Sequence, residues 1–133
     1  MPIVLIPYVA NHEIAHQLGI ASESEANFIG YLASINNPLS TVKYSGNLRL
    51  LMYCLSELRY RKYENYEEIK KSISPKIKKD INEIYSYWDA HQSVFNRYQS
   101  IIYDKFLKSN NQKDGLKSYN KVVSLAIFYN RKK

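Results

Sequence analysis

The chain has 133 residues, enough for one domain with a modest core, and its lone cysteine, Cys54, excludes an internal disulfide. Thirteen tyrosines against four glycines and four prolines predict long helices joined by few turns. The net charge of +7 is unevenly placed: residues 1–42 hold three glutamates and no Lys or Arg, so all 19 basic residues fall in 43–133.

The basic half is spread along mixed blocks such as Lys76-Ile77-Lys78-Lys79-Asp80, the pattern of solvated helix faces, and no nucleic-acid partner is expected. No Gly-rich phosphate loop and no zinc-finger spacing occurs. The longest apolar run, Pro2 to Ala10, is far too short to span a bilayer and lacks the features of a signal peptide. Taken alone, the chain reads as soluble or peripheral.

Ile3 to Leu18 starts apolar and then takes helical spacing, with Ile14, Ala15 and Leu18 flanking two histidines. Pro7 suits a first helical position and places the helix start near it. On that helix His12 and His16 lie one above the other, so both imidazoles can reach one metal ion. Glu13 stands beside the first histidine, where its carboxylate can take a proton from a water polarised by that ion. Gly19 lets the chain turn, and Ser22-Glu23-Ser24-Glu25 predicts a second helix with Ser22 as cap and Glu25 reaching back in a capping box. A glutamate from this helix completes two nitrogens, one oxygen and an open fourth position, the pattern of a catalytic zinc. Spacing alone does not choose between Glu23 and Glu25.

Ala26, Phe28, Ile29, Tyr31 and Leu32 form a packing face until Asn36-Asn37-Pro38 stops the helix. Tyr44-Ser45-Gly46 reads as the next punctuation. An amphipathic helix is predicted from Asn47 to about Lys62 and a short one around 64–72. Ser74-Pro75 then opens a long helical stretch to about Lys108. Asn110 to Gly115 reads as a polar loop, and Leu116 to Tyr129 as a final helix. No strand, repeat or linker is evident, so the fold class is all-α, with residues 1–133 as a single domain.

These blocks resemble a bacterial family of HExxH proteins, domain-of-unknown-function family 3810. The resemblance rests on His12-Glu13-Ile14-Ala15-His16-Gln17-Leu18-Gly19 and Glu23-Ser24-Glu25-Ala26-Asn27-Phe28. It continues through Tyr44-Ser45-Gly46, Tyr53-Cys54-Leu55 and the stretch from Asn111 to Tyr119. It implies a zincin-like, membrane-associated zinc peptidase acting on a peptide or protein substrate. Against that pattern the chain is expected to be the helical C-terminal part of such a domain. The membrane-anchored segment and the peptide-aligning sheet would lie upstream, and the apolar start Ile3-Val4-Leu5-Ile6 would then favour self-association. Related peptidases resemble Glu-x-x-Ala-Asn/Asp, which maps the third metal ligand onto Glu23 and a residue bracing a ligand histidine onto Asn27. For the oxyanion of peptide hydrolysis, Tyr44, Tyr119 and His91 are the candidate donors by residue type. The rival expectation is a non-catalytic helical remnant or interaction module that keeps the metal motif.

Overall fold

The computed structural model describes residues 1–91 and 119–132, with Tyr119 and Asn120 described by backbone alone. After a single 3-10 turn, Ile3–Leu5, the described residues form six helices and no strand: α1 (Ile6–Gln17), α2 (Glu23–Ile35), α3 (Ser40–Tyr60), α4 (Tyr66–Ser72), α5 (Pro75–His91) and α6 (Tyr119–Arg131). The all-α expectation therefore holds. Among the described residues no helix is long and apolar enough to cross a membrane.

Helices α1, α2 and α3 pack on one another, and the small residues among them decide how closely. A Cβ at Gly30 would come within 3.2 Å of the backbone of His12, and one at Gly46 within 2.5 Å of the Ser34 Cβ. Gly30 therefore seats α2 against α1, and Gly46 seats α3 against α2. Between them runs a small polar seam. The Ser34 hydroxyl donates to the Gly30 carbonyl at 2.7 Å and accepts from the Asn11 amide at 3.1 Å. Ser45, fully buried in α3, accepts from the backbone N–H of Tyr8 at 3.1 Å. That N–H lies in the first turn of α1, so a hydroxyl of α3 helps to cap the start of α1.

Tyr44-Ser45-Gly46 is thus no break between elements. It lies inside α3, which starts at Ser40, seven residues before the predicted start. Serine and glycine read locally as turn signals, but here they are the residues that permit close helix contact.

Two apolar clusters flank this seam. One gathers Tyr8, Tyr31 and Tyr53 with Val122, Val123 and Ala126 of α6, so the last helix packs on α2 and α3. The other joins Leu5, Leu48 and Met52 to Ile81 and Ile84 of α5. Fully burying a side chain such as Met52 or Ile84 contributes roughly 1.5–3 kcal/mol. The apolar start is divided: Leu5 is 2% exposed inside the second cluster and Val4 packs against it, whereas Ile3 and Ile6 face solvent.

The remaining boundaries differ modestly from expectation. α4 begins at Tyr66, and the Ser74 hydroxyl accepts from the Ile77 N–H at the start of α5, as a cap should. The predicted continuation of α5 to Lys108, the loop from Asn110 to Gly115 and the start of the last helix at Leu116 fall outside the described residues.

Candidate metal centre

The turn between α1 and α2 builds the site. Gly19 has φ +104°, a conformation that side chains resist, and it lets the chain reverse directly after α1. The Gly19 N–H bonds to the His16 carbonyl and the Ile20 N–H to the Ala15 carbonyl, the paired bonds of a Schellman ending. This reversal returns the Ile20 carbonyl to the ring of His16, 2.7 Å from Nδ1. Two residues later the Ser22 hydroxyl accepts from the Glu25 N–H and opens α2. Glu23 is the first residue of that helix, so its carboxylate faces back toward the histidines.

His12, His16 and Glu23 each offer a ligand atom, and these atoms lie within 4.8 Å of one another. Glu23 Oε1 is 2.9 Å from His16 Nε2, and Oε2 is 3.5 Å from His12 Nε2. The two imidazoles are nearly perpendicular, with centroids 4.7 Å apart. All three side chains are partly buried, at 13%, 24% and 21% exposure, so the cluster opens to solvent on one side. Glu13 lies on that side, 62% exposed, with Oε1 3.8 Å from His12 Nε2.

The close pairing of His16 and Glu23 needs a proton or a cation between them. A carbonyl oxygen can only accept, so His16 presents a proton on Nδ1 to Ile20, and a neutral ring then has a bare Nε2. A bare nitrogen and a carboxylate oxygen 2.9 Å apart repel unless a proton or a metal ion sits between them. Two imidazole nitrogens and a carboxylate oxygen are a donor set that zinc accepts, and the residues fit the ion.

The structure separates the two glutamates. Glu25 is exposed, contributes its backbone N–H to the Ser22 cap and lies outside the cluster. The reciprocal half of the capping box, from the Glu25 carboxylate to the Ser22 N–H, is not formed. Asn27 is buried one turn beyond Glu23, but its Oδ1 accepts from the Tyr8 hydroxyl at 3.1 Å rather than from a histidine. Because Tyr8 spends its one hydroxyl proton there, the Tyr53 hydroxyl, 3.1 Å away, donates to Tyr8. The brace on His16 is the Ile20 backbone. Nδ1 of His12 is buried and has no hydrogen-bond partner among the described residues.

Two of the three proposed oxyanion donors are described, and each has a partner of its own. The Tyr44 hydroxyl donates to the Asp80 carboxylate, linking α3 to α5 beside the second apolar cluster. Burial, then the hydrogen bond and negative charge of Asp80, push its pKa up to about 12. His91 ends α5 exposed, stacked on Tyr87, with the Tyr87 carbonyl 2.8 Å from its Nδ1. The side chain of Tyr119 lies outside the described residues.

A family model described as "Protein of unknown function (DUF3810)" matches residues 1–127. The chain belongs to the DUF3810 family. No curated protein and no solved structure matches it. Within this DUF3810 chain, sequence reasoning missed two supports of the site: the Ile20 carbonyl and the contact of Gly30 with His12. Gly30 carried a signal, because a glycine inside a helix costs roughly 0.5–1 kcal/mol relative to alanine and calls for a packing reason. A backbone carbonyl carries no such mark.

Proposed function

We propose that His12, His16 and Glu23 hold a zinc ion and that this centre hydrolyses peptide bonds, in a zincin-like domain of membrane-associated type. The observation that supports the reading is the convergence of three ligand atoms within 4.8 Å, with a second carboxylate, the exposed Glu13, beside them. A zinc ion held there would supply Lewis-acid polarisation of a water and of the scissile carbonyl.

The protein's own residues supply the rest. Ile20 fixes the His16 ring so that Nε2 faces the ligand position. Glu23 brings the negative charge that favours a divalent cation in a partly buried site. Glu13, on the open side, takes the proton that the attacking water loses and passes it to the departing amine nitrogen. The partial exposure of the three ligands leaves an approach for an extended peptide from that side.

A second reading, a helical module that keeps the metal motif without turnover, has one observation in its favour. Among the described residues no strand runs beside α1 to align a peptide, and alignment is worth several kcal/mol in favourable cases. A zinc-loaded chain assayed on a quenched fluorescent peptide library separates the two readings. Slow cleavage that disappears in Glu13→Gln supports the hydrolase, whereas a zinc-loaded chain without turnover supports the module.

A further inference from the structure

Away from the metal centre, α3, α4 and α5 enclose a cleft of about 320 Å³, and none of its lining residues comes from α1 or α2. That volume lies at the lower end of small-ligand sites. Its wall is apolar where the helices meet, at Leu55, Ile73 and Ile81, and two tyrosines, Tyr66 and Tyr85, stand at its sides. Around this wall lie four cations, Arg59, Lys70, Lys71 and Lys78, against one carboxylate, Glu67.

None of these five charged groups has an ion-pair partner within 4.0 Å among the described residues, although neighbouring Arg61 and Lys76 do pair, with Glu57 and Asp80. The charged residues that line the pocket therefore sum to +3, four cations less one carboxylate. One of the cations, Lys78, is also held by a hydrogen bond. The Lys78 ammonium donates to the Lys71 backbone carbonyl at 3.3 Å, which ties α5 to the end of α4. The Lys70 ammonium lies 5.9 Å from the centre of the Tyr66 ring.

The structure assigns this cleft as a binding site for a small phosphate-bearing ligand with an apolar or aromatic body. An arginine fork together with several ammonium groups matches the multiple oxygens and double charge of a phosphate. A carboxylate would leave most of the +3 unanswered. The apolar wall and tyrosines have no use for free phosphate alone, so the ligand carries a ring or short chain next to its anionic group. A soluble phosphate ester and a phospholipid headgroup share this chemistry.

Titration of the 15N-labelled full chain with phenyl phosphate tests the assignment. The expected result is saturable shifts confined to the α3–α4–α5 cleft, with inorganic phosphate and benzoate each binding roughly tenfold more weakly. Lys71→Gln/Lys78→Gln and, separately, Arg59→Gln should weaken phenyl phosphate by a similar factor, with helicity unchanged by circular dichroism. Sedimentation with phosphatidylglycerol vesicles, against phosphatidylcholine vesicles, then distinguishes the sources. Retention lost in the lysine variant assigns a lipid headgroup, and retention absent or unaltered assigns a soluble ester. Shifts that do not saturate, that spread over the basic surface, or that persist in both folded variants would overturn the site.

Discussion

Gly30 rests on the backbone of His12, so close that a single methyl group would come within 3.2 Å of its Cα and N. Glu23 lies seven residues earlier on the same face of α2, so this contact sets the distance between the carboxylate and the histidines. Gly30→Ala gains up to about 1 kcal/mol of helix propensity but must push the helices apart, at a cost of about 1–3 kcal/mol. The expected outcome is a less stable chain and weaker zinc binding, measured by urea unfolding and by calorimetric titration. Unchanged zinc affinity in the folded variant would show that α2 is positioned by something else.

The turn after α1 gives a second test. Nothing lies within 4 Å of a Cβ placed on Gly19, so Gly19→Ala would suffer from its φ of +104° alone. The left-handed region costs a residue with a side chain roughly 1–2 kcal/mol. Because the same turn carries the Ile20 carbonyl to His16, the substitution should lower zinc affinity as well as stability. Loss of stability with full zinc affinity would mean that the Ile20 brace is dispensable.

The convergence of His12, His16 and Glu23 was legible because its information is local. Two histidines one turn apart, a glycine turn and a serine cap specify α1, the reversal and the start of α2 with little help from the rest of the chain. Spacing could not choose Glu23 over Glu25, since both stand in the first turn of α2; only the direction in which that helix returns separates them. Tyr44-Ser45-Gly46 was misread for the opposite reason. Ser45 and Gly46 are chosen by contacts with Tyr8 and Ser34, partners distant in the chain, and a helix boundary was assigned where three helices meet. Leu5, too, was expected to need an absent partner and instead finds one in Met52 and Ile84.

Tyr44 predicts a signature at high pH. Its folded pKa of about 12 lies above the ordinary 10, so the folded chain keeps a proton that the unfolded chain releases between these values. Its stabilisation is fully present below pH 10 and is lost as pH rises toward 12. Tyr44→Phe should flatten that part of the stability–pH curve relative to the wild type, which cancels the general titration of the lysines. Parallel curves for the two proteins would show that the hydroxyl's contact with Asp80 does not persist in solution.

Two carboxylates near the site should behave differently from the ligand. Glu13→Gln should keep zinc bound and remove hydrolysis, since Glu13 acts on the water. Glu25→Gln should keep zinc and change helix-start stability by well under about 1 kcal/mol, because only its backbone N–H joins the Ser22 cap. Zinc analysis and peptide cleavage of the two variants check both statements. Zinc lost in Glu25→Gln but kept in Glu23→Gln would transfer the ligand role.

The most direct test of the metal centre is a calorimetric zinc titration of the folded, chelator-treated chain beside its Glu23→Gln variant. The wild type should take about one zinc per chain through His12, His16 and Glu23. The variant should bind more weakly by at least the roughly 10–100-fold that supporting groups around a metal are worth. A folded wild type that takes up no zinc, or a Glu23→Gln variant that binds it equally well, would contradict the account.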